Sequence, residues 1–250
     1  MPRLRSGAPK TPKRFKMIDY TISSKDTKNL LELKNRSNLD FDVKNEFESI
    51  EAIIKYVHDL SGHNSDGYFE KNDPVSIYLD VLSGKQMRCV EFSALASALL
   101  RAFGVKSRII GLKTEDVETR EYGAGHVVVE FWSNDFMKWV MVDVQHAVMA
   151  YSHDEPLSVL ELRNRLYAGD KTITIKNLSK QRKDFDYLSW IYEYLFFIDT
   201  TITQDFSAHD KRHDKILMLV PEGVNRPKIF QNSFQMNVIH TEDPEDFYKS

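Results

Sequence analysis

The sequence predicts an α+β fold in which a buried helix begins at the only cysteine of the chain. Residues 89–103 are almost entirely apolar and stop at Gly104, which is typical of a helix enclosed by a core. Residues 125–132 and 138–144 have the high β-propensity of two paired strands, with a short polar turn between them. Upstream, residues 47–60 carry apolar side chains at helical spacing.

The composition is that of a globular protein without a bias toward a charged partner. The chain has 250 residues, of which 42% are hydrophobic, and its net charge is −3. This favours one large domain and gives no general attraction to nucleic acid or to a membrane. Its apolar runs are shorter than the ~18 residues of a membrane span, and no secretory signal is visible. By default we expect a soluble, cytoplasmic protein, although a signal that had been removed would leave no trace.

Three segments are expected along the chain: a disordered basic tail (1–18), a single domain with a C-terminal extension of helices and strands (19–240), and a frayed acidic end (241–250). Residues 1–16 contain six basic side chains and three prolines, a composition that cannot bury a core. With Phe15 as the one aromatic residue among them, these charges give only weak, nonspecific attraction to nucleic acid. We therefore predict no nucleic-acid partner.

The other elements follow from local patterns. Asp73 and Pro74 supply the N-cap and first turn of a helix that ends near Ser83. This helix should bury Ile77, Tyr78, Val81 and Leu82. The remaining predicted elements are a strand (106–112), a charged, solvated loop (113–124), a helix (156–166), a short strand (172–175), an aromatic-rich helix (185–198) and a last strand (216–220).

The hairpin brings a histidine opposite an aspartate. If residues 133–136 form the turn, Trp132 pairs with Met137 and His126 pairs with Asp143. Directly opposed side chains have Cβ atoms about 5 Å apart, so one imidazole nitrogen binds the carboxylate while the other points away. That arrangement fixes the tautomer and stabilises the imidazolium, as a general base requires. A shift by one residue would separate the two side chains onto opposite faces.

Cys89 completes a candidate nucleophilic triad with His126 and Asp143. A thiol at a helix N-terminus feels the positive end of the helix dipole, which favours the thiolate. Its backbone N–H is a natural oxyanion donor. Weaker candidates for a second donor or for substrate contact are Gln86, Tyr78 and Tyr122. Taken singly, the three triad residues have commoner structural explanations, which are an inert core thiol, a strand histidine and a capping aspartate.

Two other histidine features receive structural interpretations. His209 and His213 have the i, i+4 spacing of a helical metal site, but the surrounding Asp, Lys and Arg indicate a solvated face. Gln145 and His146 are interpreted as caps of the strand before them rather than as part of a cleft. We therefore predict neither a metal nor a cofactor, and the single cysteine excludes an internal disulfide.

Three blocks in this order resemble the transglutaminase-like cysteine enzyme superfamily: a cysteine at the start of an apolar helix together with residues 100–108, then 125–130, then 139–143. The resemblance covers roughly residues 45–150. It implies a papain-like α+β fold, a central helix on an antiparallel sheet, and catalytic roles for Cys89, His126 and Asp143 through a thioester on the cysteine.

The sequence departs from the animal cross-linking members of that family. Those enzymes have Gln and Trp beside the cysteine, where this chain has Arg88 and Val90. The family's aspartate is often followed by Pro, whereas Val144 follows here. No acidic calcium loop is evident, so a calcium-dependent cross-linker is not expected.

These observations predict a cysteine-dependent acyl transferase or amide hydrolase, of peptidase, amidase or transglutaminase-like type, acting on a protein, a peptide or a small amide. The alternative is a catalytically silent scaffold that serves as a binding or interaction module. A cleft covered over Cys89 by residues 113–124 or by the C-terminal helix would favour that alternative. Acetyl transfer from a thioester cofactor is less favoured because no basic or Gly-rich motif is visible. The oligomeric state stays open.

Overall fold

A computed structural model of the chain describes residues 18–61, 69–179, 185–206 and 214–248. The predicted basic tail up to residue 17, and both His209 and His213, lie outside the described residues. Within the described ranges, no helix combines the length and the apolar character needed to cross a membrane.

Helices and strands alternate in blocks along the chain. The α-helices are α1 (Ser24–Ser37), α2 (Glu46–Asp59), α3 (Pro74–Leu82), α4 (Cys89–Ala102), α5 (Val159–Tyr167), α6 (Tyr187–Ile191) and α7 (Pro244–Tyr248), with short 3-10 helices at Val43–Asn45 and Tyr192–Tyr194. The strands are β1 (Ser107–Lys113), β2 (Gly125–Ser133), β3 (Lys138–Val142), β4 (Val148–Ser152), β5 (Glu155–Pro156), β6 (Ile173–Asn177), β7 (Phe197–Thr201), β8 (Ile216–Leu219), β9 (Ile229–Phe230), β10 (Phe234–Gln235) and β11 (Val238–Thr241).

A six-stranded sheet forms the centre of the fold, in the order β11-β8-β7-β1-β2-β3. Its neighbouring strands are antiparallel except for the parallel pair β11 and β8. Strands β5-β4-β6 form a second, smaller sheet, and β9 pairs with β10. The structure confirms the predicted α+β class, with the helix that carries the cysteine packed on a largely antiparallel sheet.

The two faces of the main sheet are covered by different helices. On one face, Leu95 and Leu99 of α4 pack in a core with Phe131 of β2, and α1, α2 and α3 join this core. On the other face, Val128 of β2 packs with Leu162 of α5 and with α6 and α7. Burying apolar side chains on both faces places the sheet inside the molecule, as a layered α+β fold requires.

Both ends of α4 follow from the local sequence. At its start, the Glu91 carboxylate accepts a hydrogen bond from the backbone N–H of Arg88 at 2.9 Å and also binds the Arg88 guanidinium. At its end, Gly104 adopts a left-handed φ of 86°, which a residue without a Cβ reaches without strain. The helix predicted from the apolar run is therefore confirmed.

Helix α3 confirms its predicted start but not its whole buried face. The Asp73 side chain accepts a hydrogen bond from the Ser76 N–H at 3.0 Å, as expected of an N-cap. Ile77, Tyr78 and Val81 are buried, whereas Leu82 is 58% exposed. Leu82 is the last residue of the helix and lies beyond the turn that contacts the core.

The hairpin register differs from the predicted one by two residues. Trp132 pairs with Trp139, not with Met137, because Ser133 extends β2 and pairs with Lys138, so the turn is formed by residues 134–137 instead of 133–136. Met137 takes a φ of 51° in the turn, so it lies outside the ladder. His126 and Asp143 are therefore not directly opposed. Since a shift by two keeps every side chain on its face, both still lie on the same side of the sheet.

Two segments expected to be solvated are packed instead. Within residues 114–124, Val117 and Ala124 are fully buried, and the carbonyl of Val117 accepts a hydrogen bond from the N–H of Gln231 at 2.8 Å. The predicted frayed end at 241–250 is also wrong for its described part, because α7 buries Phe247 completely. Both segments pack against residues that are distant in sequence, so their local composition does not indicate that they are buried.

The aromatic-rich segment is shorter as a helix than predicted. Helix α6 ends at Ile191, a 3-10 turn follows, and Phe197 already begins β7 between β1 and β8. The other predicted elements are confirmed with small shifts at their ends, but β8 is not the last strand, because β9, β10 and β11 follow it.

A fully buried ion pair joins the sheet to the C-terminal helix. Arg108 of β1 and Glu130 of β2 have no solvent exposure, and the Arg108 Nε donates to Glu130 Oε2 at 3.0 Å. Glu130 Oε1 also accepts from the Tyr248 hydroxyl at 2.9 Å and from the Val159 N–H at 2.8 Å. The Arg108 guanidinium in turn donates to the carbonyl of Phe247 at 3.0 Å. This network holds α5 and α7 against the sheet.

Replacing Glu130 with Gln should lower the free energy of unfolding by about 3–5 kcal/mol, because it leaves the buried Arg108 without a counter-charge. Urea unfolding followed by circular dichroism measures this loss. The matched control is Glu32→Gln, which removes an exposed ion pair with Arg36 and should change stability by less than about 1 kcal/mol. Equal effects of the two substitutions would contradict the role assigned to the buried pair.

Candidate active site

Cys89 lies at the first position of α4 and is partly exposed. Backbone N–H groups in the first turn of a helix have no partner within the helix, so its N–H is available to a ligand. Just before it, the Met87 N–H donates to the Ser61 side chain at 2.9 Å, which anchors the approach to the helix. The thiol and a free backbone donor therefore lie at the same helix end.

His126 and Asp143 form a short, buried hydrogen bond. His126 Nε2 lies 2.7 Å from Asp143 Oδ2, and neither side chain has more than slight exposure. Asp143 follows β3, and its backbone exchanges two 3.0 Å hydrogen bonds with Val148 of β4. This bridge fixes the backbone of Asp143 beyond the end of β3, where its carboxylate reaches diagonally to His126.

The side chain of Cys89 lies close enough to the imidazole of His126 to help raise its pKa. Because Nε2 is occupied by Asp143, Nδ1 is the ring nitrogen left for a second partner. Burial lowers the pKa of His126, but the charge of Asp143 and the contacts with Cys89 outweigh it and raise the pKa from 6.5 to about 10. The His126 charge in turn holds the pKa of Asp143 below its usual range, against the effect of burial. These shifts favour an imidazolium paired with a carboxylate.

Two more donors complete the environment of Asp143. The hydroxyl of Tyr187, at the start of α6, donates to Oδ2 at 3.1 Å. The backbone N–H of His146 donates to Oδ1 at 3.1 Å. A carboxylate that accepts three hydrogen bonds is stabilised in its ionised form even without solvent.

Partly exposed aromatic side chains from the segment after β6 line one side of the triad. We call Phe185, Trp190 and Tyr194 the aromatic wall. Trp190 meets the His126 ring edge-on with centroids 4.9 Å apart, and Tyr194 lies 6.0 Å from it. Burial raises the pKa of Tyr194, and the charges of Glu193 and Cys89 add to this effect against the opposing charge of Arg120.

The ring of His146 belongs to the same cluster. It stacks on Phe185 with centroids 4.9 Å apart and lies 5.9 Å from His126. Its backbone caps Asp143, as interpreted from the sequence, but its side chain also lines the site.

The structure brings His126 and Asp143 into contact, and Cys89 is near enough to affect the pKa of His126; the predicted additional donors are placed differently. The Tyr78 hydroxyl bonds the Tyr56 hydroxyl at 2.8 Å and the Arg36 carbonyl at 3.3 Å, so it is directed into the packing of α1, α2 and α3. Tyr122 is 91% exposed. Gln86 is exposed in the turn that precedes the cysteine, so it alone of the three lies close to Cys89 in the chain.

Residues 37–144 match the family model of the transglutaminase-like superfamily. This segment is similar to a transglutaminase-like domain. The matched region ends one residue after Asp143 and contains Cys89 and His126, so it spans the whole candidate triad.

Two solved structures are similar to this chain. One is a candidate cysteine protease from Cytophaga hutchinsonii, with 15% identity over 64% of this chain and 53% of that one, and a TM-score of 0.37. The other is described as a TGase, with 16% identity over 50% of this chain and 34% of that one, and a TM-score of 0.32. The chain thus spans about half the length of the first and a third of the second. No curated protein matches it.

The candidate site also contains a group of possible metal ligands. His126, Asp143 and His146 each offer one ligand atom, and these atoms lie within 4.8 Å of one another. Zinc would need all three within about 2.0–2.2 Å of the ion. Since His126 and Asp143 already share a 2.7 Å hydrogen bond, the described geometry fits a proton-sharing pair.

Sequence reasoning missed Tyr187, Trp190 and Tyr194 as site residues. The aromatic-rich run was recognised, but it was interpreted as a helix that packs on the core. That interpretation holds for the buried face of α6, whereas the aromatic wall faces the triad.

The bond between His126 and Asp143 should make stability depend on pH within a defined window. The raised pKa of His126 means that its contribution is complete below 6.5 and is lost as the pH rises through about 10. The lowered pKa of Asp143 means that its contribution is complete above 3.8 and is lost as the pH falls through about 2. The stability gap between the natural chain and a His126→Asn variant should therefore be widest between about pH 4 and 6.5.

Urea unfolding of both proteins at about pH 3, 5 and 9 measures this gap. A His153→Asn variant, at an exposed position in a turn, is the control and should show no such window. A gap that stays constant over the three pH values would contradict the assigned ion pair.

Proposed function

We propose that this transglutaminase-like domain is a cysteine-dependent enzyme that breaks an amide bond through a thioester on Cys89 and passes the acyl group to water or to an amine. The observation that carries the proposal is a single imidazole, His126, that is hydrogen-bonded to a buried carboxylate and whose pKa is raised further by the neighbouring Cys89. A base that is oriented by a third group and contacts a nucleophile is the general signature of nucleophilic catalysis. The substrate class we propose is a protein, a peptide or a small amide.

The first half of the reaction forms the thioester. The thiolate of Cys89 attacks the carbonyl carbon, and the carbonyl π electrons move to its oxygen. When the intermediate collapses, the C–N bond breaks, and the proton on His126 Nδ1 passes to the leaving amine. Asp143 stays ionised and keeps the imidazole oriented, as in other triads.

The second half releases the acyl group. His126, now neutral, removes a proton from water or from an acceptor amine, which attacks the thioester carbonyl. Collapse of this intermediate breaks the C–S bond and restores the thiolate and the imidazolium. No redox change takes place, and the reaction needs no cofactor.

The local structure suits the charges that develop in these steps. The N–H of Cys89 lies in the first turn of α4, where the helix dipole also favours negative charge. Gln86, in the preceding turn, is the candidate second oxyanion donor. The aromatic wall covers the His126 ring through Trp190, which limits the access of water to the His126–Asp143 bond.

The scaffold alternative receives less support from the same geometry. A covered thiol would favour it, but Cys89 is partly exposed, and its neighbour Val90 is 48% exposed. Residues 114–124 pack through Val117 toward Gln231, and α7 packs on Arg108 and Glu130. Neither segment is the kind of cover over Cys89 that this alternative predicts.

Alkylation by iodoacetamide tests the activated thiol directly, since Cys89 is the only cysteine. At neutral pH a free thiol is only a few per cent thiolate. A paired thiolate should therefore react about tenfold faster than glutathione, after allowance for its lower intrinsic nucleophilicity. His126→Ala should return the rate to that of a free thiol, while the control His153→Ala keeps the fast rate. Equal, slow alkylation of all three proteins would refute the proposal.

Trapping the acyl-enzyme identifies the acyl donor and tests the thioester. We expect incubation with a cell extract or peptide mixture, followed by rapid acid quenching, to leave a mass adduct on Cys89 that hydroxylamine removes. A Cys89→Ser variant should form either no adduct or one that resists hydroxylamine, because an oxyester is less reactive than a thioester. An adduct on the natural chain that hydroxylamine leaves in place would count against acyl transfer.

A further inference from the structure

One oxygen of Asp143 is shared by two donors. Oδ2 accepts from His126 Nε2 at 2.7 Å and from the Tyr187 hydroxyl at 3.1 Å, while Oδ1 accepts from the His146 N–H at 3.1 Å. The side chains of Asp143 and Tyr187 are buried. The Tyr187 hydroxyl and the His126 imidazole therefore donate to the same carboxylate oxygen, so each hydrogen bond weakens the other.

The tyrosine is held in place by its own surroundings. Tyr187 is the first residue of α6. The Asp186 side chain caps this helix by accepting a hydrogen bond from the Ser189 N–H. The Tyr187 ring packs in the core on the α5–α6 face of the sheet and contacts Trp190 and His146, with centroids 5.9 and 5.7 Å away. A buried hydroxyl fixed in this way donates to one acceptor rather than sampling several.

In the proposed mechanism, His126 must release its proton to the leaving amine. A carboxylate that holds the imidazolium too strongly would slow that transfer, because an efficient general acid has an acidity matched to the operating pH. A second hydrogen bond to the same oxygen withdraws charge from it and weakens its hold on the imidazolium.

We propose that Tyr187 is a positioning residue of the triad, whose hydroxyl fixes Oδ2 toward His126 and limits how tightly Asp143 retains the His126 proton. The inference rests on the proposed function for its catalytic meaning, but its physical effect is measured without substrate.

Several other titratable groups face the pair, and the test leaves them unchanged. Cys89 approaches from α4, His146 from the turn after Asp143, and Tyr194 from the 3-10 turn that follows α6. Glu193 and Arg120 act on Tyr194 in turn. Replacing Tyr187 with Phe removes one hydroxyl and keeps each of these groups in place.

The experiment follows the His126 ring by NMR on protein with isotope-labelled histidine and measures the pH midpoint of its titration. Tyr187→Phe should raise this midpoint by about half a pH unit or more, which corresponds to the loss of one hydrogen bond to the carboxylate. The matched control is Tyr248→Phe, which removes a hydroxyl that donates to another buried carboxylate, Glu130, at 2.9 Å. The control should leave the His126 midpoint unchanged.

A second variant keeps the tyrosine hydroxyl and strengthens its hydrogen bond to Asp143 instead of removing it. Incorporating 3-fluorotyrosine at position 187 makes the hydroxyl a stronger donor, so the His126 midpoint should fall. In an Asp143→Asn background, Tyr187→Phe should no longer raise the midpoint, because the shared oxygen has lost its charge. An unchanged or lowered midpoint in Tyr187→Phe, or a shift of equal size in Tyr248→Phe, would overturn the assignment.

The alkylation rate of Cys89 in the natural chain separates this inference from the proposed function. If alkylation is slow, the proposed function fails whatever the NMR midpoints are. If alkylation is fast and the midpoints do not respond to residue 187, only the positioning role fails.

Discussion

The candidate site depends on one constraint, which is that the carboxylate of Asp143 has no contact with solvent. An unpaired carboxylate in such a place would take up a proton, because burial penalises the charged form. Its charge is maintained by His126, Tyr187 and the N–H of His146. These donors come from β2, from α6 and from the turn after β3. To remain ionised, the Asp143 side chain therefore needs β2 and α6 to pack against the end of β3. The ionised state of Asp143 therefore depends on the same arrangement of donors that defines the site.

The cysteine is positioned against that pair by an element that contributes no catalytic group. The C-terminal end of α2 reaches both sides of the triad. His58 Nδ1 lies 3.2 Å from the carbonyl of Val144, next to Asp143, and Ser61 accepts from the N–H of Met87, two residues before Cys89. The start of α4 and the end of β3 are thus tied to one helix. This explains how residues 54 positions apart keep a fixed geometry although α4 packs mainly on the opposite face of the sheet.

The sequence was sufficient wherever the determinant is local. Periodicity and caps predicted α2, α3 and α4, and β-propensity predicted the hairpin. The register depended on which residues form the turn, a choice that local preferences do not decide, and the prediction was wrong by two residues. The contact between His126 and Asp143 survived because an even shift preserves the face. Tyr187 was not predictable as a site residue, since an aromatic-rich run indicates burial but not which acceptor, 44 residues away, its hydroxyl meets.

The same sheet face holds two buried carboxylates that differ in one respect. Glu130 and Asp143 each accept a hydrogen bond from a buried tyrosine, Tyr248 and Tyr187, and each pairs with a cation on a neighbouring strand. The partner of Glu130 is Arg108, which does not release its proton in proteins. The partner of Asp143 is His126, which titrates and whose pKa is also raised by the nearby Cys89. Similar surroundings thus give a permanent ion pair at Arg108–Glu130 and a proton that can be transferred at His126–Asp143. Only the second pair could take part in acid–base catalysis.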